Sequence, residues 1–88
     1  MMKGVGAKFK AKEWSDGAKI ATQALFETQN FMSPDNKVWL KHIGGYTGYI
    51  ELADALQDIY RVLSRERDEE LGLFSTVDSL LDAGWVAD

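Results

Sequence analysis

The 88-residue sequence contains no cysteine. This absence excludes a disulfide scaffold, a zinc site built from thiolates and a thiol nucleophile. A domain without cross-links is typical of the cytosol, where thiols stay reduced, so we expect a cytoplasmic protein.

Long apolar runs are also missing. No stretch reaches the ~18 apolar residues of a membrane-spanning helix, and the N-terminal MMKGVGAKFKAKEW carries lysines without the apolar centre of a signal peptide. We therefore predict neither a membrane segment nor export.

Histidine occurs once, at His42. A single imidazole cannot form a His-His metal pair or a relay with a second imidazole, and the sequence has no nucleophile elbow and no acidic calcium loop. The sequence therefore predicts no catalytic residue, no metal site and no cofactor.

Apolar residues are abundant for so short a chain. They make up 45% of the sequence, and 11% of it is aromatic, which is too apolar for a disordered chain. We expect one domain over residues 1–88. A chain of this size buries only a little over ~60% of its unfolded surface, which leaves a monomer marginally stable. A homodimer is therefore the alternative to a monomer.

The charge is distributed unevenly around a net value of −4. Residues 1–19 hold five lysines against two acidic residues, whereas residues 51–88 hold ten acidic residues against three arginines. Phosphate binding needs a concentrated basic surface, so direct nucleic-acid binding is not expected. A partner protein with a basic surface fits this distribution better.

The spacing of apolar residues predicts the secondary structure of the first half of the chain. Alternation in residues 4–11 predicts a strand, and apolar residues three and four apart predict a helix over 16–31 with Ser15 or Asp16 as the N-cap. Ser-Pro-Asp-Asn predicts a turn at 33–36, and the β-branched and aromatic residues at 37–43 predict a second strand.

The glycines in KVWLKHIGGYTGYIELADALQDIYRVL, residues 37–63, allow three interpretations. They could cradle a phosphate, turn a hairpin or admit the chain to a helix. From Tyr49 onward the apolar residues fall three and four apart, which favours a helix over 48–70 with Thr47 as N-cap and Gly72 as its end. A return strand at 46–51 remains the alternative.

The predicted fold is therefore α+β: a small single domain with a short sheet of two or three strands. Two longer helices and one short C-terminal helix, near 76–83, pack against that sheet. No internal repeat is evident in the sequence.

The long predicted helix supplies the first candidate site. Its acidic residues would share one face, which is either a solvated surface or a docking site for a basic partner, with neighbouring aromatic rings as anchors. We expect an interaction protein, an inhibitor or regulator of a nucleic-acid-handling enzyme. The candidate partner-binding residues are Glu51, Asp54, Asp58, Glu66, Asp68, Glu69, Trp39 and Tyr46.

The glycine loop supplies the alternative function, a small dimeric sensor of an anionic molecule. Amides at a helix start near Thr47 would attract an anion, although the loop lacks the spacing of the known phosphate-binding motifs. The candidate anion-binding residues are Gly45, Thr47, Gly48 and Tyr49.

Overall fold

The computed structural model describes residues 13–88, and the strand predicted at 4–11 lies outside this range. Eight elements follow one another. In chain order they are α1 (Asp16–Thr28), β1 (Lys37–His42), β2 (Thr47–Glu51), α2 (Leu52–Ala55), β3 (Tyr60–Ser64), β4 (Glu70–Phe74), α3 (Val77–Asp82) and β5 (Trp85–Ala87).

The five strands form one antiparallel sheet in the order β4-β3-β2-β1-β5. Strands β1 to β4 form a meander in which each strand pairs with the next. The last strand, β5, returns to the free side of β1, where Leu40 lies opposite Ala87.

The predicted architecture is wrong, because the long helix at 48–70 does not exist. Residues 46–51 include the return strand β2, and α2 is a single turn before β3. The three-and-four spacing combines apolar residues with different surroundings: Leu52 packs on the core, whereas Tyr49 and Leu63 lie opposite each other on the other face of the sheet. Leu56 is 49% exposed. Asp58 has a positive φ of 60° in the turn before β3, a conformation that a helix interior does not contain.

The glycine pair turns a hairpin. His42 N donates to Tyr46 O at 2.8 Å, and Gly45 N donates to His42 O at 2.9 Å, which closes the turn between β1 and β2. Gly45 has a φ of 97°, which non-glycine residues rarely adopt. Gly72, predicted to end a helix, lies inside β4 opposite Val62.

Other local predictions are confirmed. Ser15 caps α1 by accepting from Ala18 N at 3.2 Å, although the helix ends at Thr28 rather than near 31. The C-terminal helix α3 forms as expected, with Thr76 as the residue that caps it.

One hydrophobic core lies on one face of the sheet. Each helix contributes a buried side chain to it: Phe26 from α1, Ala55 from α2 and Leu80 from α3. They pack on the inward residues of the central strands, including Leu40 and Val62, which are fully buried. Burial of these aliphatic side chains stabilises the fold by about 1.5–3 kcal/mol each. Over β1 to β3, the opposite face has no helix packed on it in residues 13–88, and we call it the open face.

A repeat is visible in the structure. Hairpin β1–β2 is followed by α2 and then β3, and hairpin β3–β4 is followed by α3 and then β5. At one constant sequence offset, equivalent positions carry the same or similar residues. These pairs are Val38 and Val62, Lys41 and Arg65, Gly48 and Gly72, and Asp54 and Asp78. The repeat is not evident from the sequence alone because so few identities recur.

The two edges of the sheet differ. Helix α1 covers the β5 edge, where Thr22 Oγ1 accepts from Ala87 N at 2.9 Å. In the part of the chain that the structure describes, no strand pairs with the outer side of β4. None of the helices within residues 13–88 has the length and apolarity needed to cross a membrane.

Candidate functional site: the open face of the sheet

Strand register places three large side chains side by side on the open face. Trp39 lies opposite Tyr49, and Tyr49 lies opposite Leu63. Residues next to them in the strands point into the core, because successive side chains of a strand alternate between the two faces. The Trp39 and Tyr49 rings are 5.4 Å apart, centroid to centroid.

Three cations lie against aromatic rings on this face. Lys37 Nζ is 5.6 Å from the Trp39 ring centroid and 4.9 Å from that of Tyr49. Arg65 Cζ is 5.9 Å from the same Trp39 ring. At the β5 side, Lys41 Nζ is 5.2 Å from the Trp14 ring. We call Lys37, Trp39, Lys41, Tyr49 and Arg65 the cation–aromatic strip.

The three cations of the strip form no ion pair within residues 13–88, unlike the other cations of that range. Lys19 pairs with Glu13 and Arg67 pairs with Glu69. Arg61, also on the open face, forms ion pairs with two carboxylates. Its Nη1 is 3.8 Å from Asp54 Oδ2, and its Nε is 3.2 Å from Glu70 Oε1.

Two carboxylates at the rim hold the aromatic rings in place. Trp39 Nε1 donates to Asp35 Oδ2 at 2.8 Å, and this hydrogen bond lowers the pKa of the Asp35 carboxyl. The Tyr49 hydroxyl donates to Asp68 Oδ1 at 2.6 Å. This hydrogen bond, together with burial, raises the pKa of Tyr49 to about 12. Both rings are therefore fixed in orientation before any ligand arrives.

The acidic face predicted for the long helix is not assembled. Glu51 ends β2 opposite Lys37, and Asp54 lies on α2 beside Arg61. Asp58 lies in the turn before β3, where it accepts from the Tyr60 hydroxyl at 3.4 Å. The β3–β4 turn carries the remaining three, Glu66, Asp68 and Glu69. Without a helix, the six side chains do not line one surface, although Glu51 and Asp68 both lie near Tyr49 and their charges raise its pKa.

The predicted anion site loses its basis in the same way. Thr47, Gly48 and Tyr49 belong to strand β2, so no helix begins there. Gly48 is buried, and a Cβ at this position would lie 2.9 Å from Leu63 O. Its role is to let two strands approach closely.

Tyr46, predicted to anchor a partner, lies on the other side of the hairpin. Its ring stacks on His42 at 4.3 Å and meets the core residue Trp85 edge-on at 5.5 Å. Half of the Tyr46 side chain remains exposed. It is therefore not part of the cation–aromatic strip, although Trp39, predicted with it, is.

His42 has a structural role. Its Nδ1 accepts from Gly44 N at 2.9 Å, so Nε2 carries the proton and donates to Ala83 O at 2.7 Å. One ring nitrogen thereby supports the hairpin turn, and the other joins the hairpin to the residue that follows α3. Among residues 13–88, no group of three or more histidine and acidic side chains is arranged to hold a metal ion.

The three cations of the strip were not among the site residues predicted from the sequence. A signal for two of them was available, because Lys37, Trp39 and Lys41 alternate along a stretch that was correctly predicted as a strand. Arg65 could not have been added, because it reaches Trp39 only through the β2–β3 pairing that the helical interpretation excluded.

Comparisons with protein-family models, with curated proteins and with solved structures find no match.

Proposed function

We propose that this chain is a protein-interaction module that binds an acidic segment of a partner protein on its cation–aromatic strip. One observation carries the proposal: Lys37 and Arg65, which form no ion pair within residues 13–88, lie against the fixed rings of the open face, which no described helix covers. Lys41, also without an ion pair in that range, extends the positive charge toward Trp14. The cytoplasmic location expected from the absence of cysteine belongs to this proposal.

The residue types support a protein-binding surface. Trp, Tyr and Arg are the side chains that most often dominate the energy of protein interfaces. Here the hydrogen bonds from Trp39 to Asp35 and from Tyr49 to Asp68 already restrict both rings. Binding therefore costs less side-chain entropy than it would with mobile rings.

Charge supports an acidic partner rather than a basic one. Lys37, Lys41 and Arg65 form no ion pair in the part of the chain that the structure describes, whereas the acidic residues predicted to bind a basic partner belong to different elements. Asp54 and Asp68, for example, are already engaged by Arg61 and Tyr49. Complementary charge across an interface accelerates association and selects the partner.

A pair of matched double variants tests the proposal. Lys37→Gln with Arg65→Gln removes two charges from the strip, whereas Lys19→Gln with Arg67→Gln removes two charges elsewhere. Binding would be measured by tryptophan fluorescence and by anisotropy against a library of labelled acidic peptides. Poly-uridylate and poly-thymidylate would serve as competing polyanions.

We expect acidic peptides to bind the native chain, with an affinity that falls as salt is raised. In the strip variant only, the affinity should fall about tenfold or more, which corresponds to about 1.4 kcal/mol of binding free energy. Equal losses in both double variants would show that the strip is not the site. Binding of single-stranded nucleic acid in preference to every acidic peptide would contradict the proposed class of partner.

A further inference from the structure

The cation–aromatic strip has residue types that also bind single-stranded nucleic acid. Proteins that bind such strands use cations to contact phosphates and aromatic rings on which bases stack. Trp39 is only half-buried, and Lys37 Nζ and Arg65 Cζ lie 5.6 Å and 5.9 Å from its ring centroid. Cations and rings alone would therefore not distinguish an acidic protein segment from a nucleic-acid strand.

Three carboxylates lie beside the strip. Asp35 Oδ2 accepts from Trp39 Nε1 at 2.8 Å, and Asp68 Oδ1 accepts from the Tyr49 hydroxyl at 2.6 Å. On β2, Glu51 lies opposite Lys37. We call Asp35, Glu51 and Asp68 the flanking carboxylates.

The flanking carboxylates are exposed, and they do not neutralise the strip by pairing with it. None of the three forms an ion pair within residues 13–88, and those of Asp35 and Asp68 accept hydrogen bonds from the rings instead. The three cations of the strip are thus bordered by an equal number of negative charges. This border interrupts the concentrated basic surface that phosphate binding needs.

The two kinds of polyanion meet this border differently. Every nucleotide carries a phosphate, so a strand that stacks a base on Trp39 also brings phosphates to the border, where like charges repel. An acidic protein segment can place its carboxylates on the cations and neutral residues at the border. Repulsion of the wrong partner contributes to specificity as much as attraction of the right one does.

We infer that the flanking carboxylates are specificity-determining residues, which exclude single-stranded nucleic acid from the strip and still admit an acidic protein segment. The inference rests on the proposed function, because it concerns how the same site selects its partner.

Amide substitutions separate the charge of these residues from their effect on ring orientation. In the double variant Asp35→Asn with Asp68→Asn, the side-chain oxygens can still accept from Trp39 Nε1 and from the Tyr49 hydroxyl. The rings therefore keep their partners while two negative charges are removed.

A matched control removes the same charge elsewhere. Glu27 and Asp58 are exposed acidic residues that line one cavity together with the core residue Phe26. Glu27→Gln with Asp58→Asn therefore changes the net charge equally without touching the strip. Circular dichroism of both double variants would show that each remains folded.

Two labelled probes test the inference: oligo-uridylate, and a peptide in which glutamate alternates with serine. Fluorescence anisotropy would give the Kd of each probe for the native chain and for both double variants at several salt concentrations. The quantity compared is the preference for the peptide, which is the Kd of oligo-uridylate divided by that of the peptide.

We expect the native chain to prefer the peptide. In Asp35→Asn with Asp68→Asn the preference should fall about fivefold or more, because two like-charge contacts with the phosphates are lost. In the control variant the preference should stay within about twofold of the native value, and raised salt should reduce the difference between the variants.

The possible failures are distinguishable. If the native chain prefers the peptide but both double variants change the preference equally, the inference is overturned and the proposed function stands. A native chain that prefers oligo-uridylate would overturn both. If the native chain binds neither probe, binding of oligo-uridylate gained only in Asp35→Asn with Asp68→Asn would support the inference, and no such gain would overturn it.

Discussion

The Tyr49 hydroxyl donates a 2.6 Å hydrogen bond to the Asp68 carboxylate, which ties strand β2 to the β3–β4 turn across the intervening strand. Asp68 adopts a φ of 56° in that turn, a left-handed conformation that aspartate tolerates better than most residues do. The contact fixes the turn next to Arg65, the one cation of the strip that lies outside β1.

Tyr49 should make stability decline at alkaline pH. Its folded-state pKa of about 12 exceeds the ordinary tyrosine value of 10.0, so the unfolded chain loses this proton first as pH rises. The stabilisation is complete below pH 10 and is lost between pH 10 and 12. Tyr49→Phe should remove this part of the decline, as measured by urea unfolding at a series of pH values. An unchanged decline in Tyr49→Phe would assign it to another group, and Tyr46→Phe serves as the matched control.

The Trp39 indole should show the protonation of the Asp35 carboxylate at acid pH. The hydrogen bond from Trp39 lowers the Asp35 pKa below the ordinary aspartate value of 3.8. The bond is therefore at full strength above that pH and weakens as pH falls through the lowered pKa. We expect the Trp39 indole N–H resonance to titrate with a midpoint below 3.8 and to lose this transition in Asp35→Ala. The Trp14 indole donates to the backbone oxygen of Gly84 and provides an internal control.

Two glycines with positive φ should respond differently to alanine. Gly45 has a φ of 97° and no atom near an added Cβ, so Gly45→Ala should cost about 1–2 kcal/mol from backbone strain alone. Gly84 has a φ of 100°, and an added Cβ would lie 2.8 Å from His42 Nε2. Gly84→Ala should therefore cost about 1–3 kcal/mol more than Gly45→Ala. Thermal and urea unfolding of both variants would measure the difference, and equal losses would show that His42 moves aside freely.

Thr22 joins α1 to the last strand through a hydroxyl that is fully buried. Its Oγ1 donates to Ala18 O at 2.8 Å and accepts from Ala87 N at 2.9 Å. Thr22→Val keeps the shape but leaves the Ala87 amide without its acceptor, which should cost about 1–3 kcal/mol in urea unfolding. Thr22→Ser keeps the hydroxyl and should cost less. If the valine variant proved as stable as the serine variant, solvent would be reaching the amide.

Local signals predicted the parts of the fold that depend on local interactions. Ser15 before a run of three-and-four spacing predicted α1, and the stretch from Lys37 to His42 predicted β1, because capping and strand propensity act within a few residues. The short helix after Thr76 was predictable for the same reason.

The sheet could not be predicted because its strands are defined by their neighbours. Ile50 and Val62 point into the core, but their open-face neighbours Tyr49 and Leu63 are also apolar, so the polar alternation that identifies a strand is weak there. The apolar residues of β2, α2 and β3 then imitate one helix. The cation–aromatic strip was missed as a consequence, since it is assembled across strands rather than along the sequence.

The pairing of β5 with β1 sets the order in which this chain can fold. Hairpins β1–β2 and β3–β4 join residues close in the sequence and can form early. The pairing of Leu40 with Ala87 joins residues far apart in the sequence and should form later. Closing so long a loop loses more chain entropy than closing a hairpin does. We therefore expect a transition state in which the meander is formed and β5 is still detached. Substitutions in β5 should then accelerate unfolding and leave the rate of folding nearly unchanged.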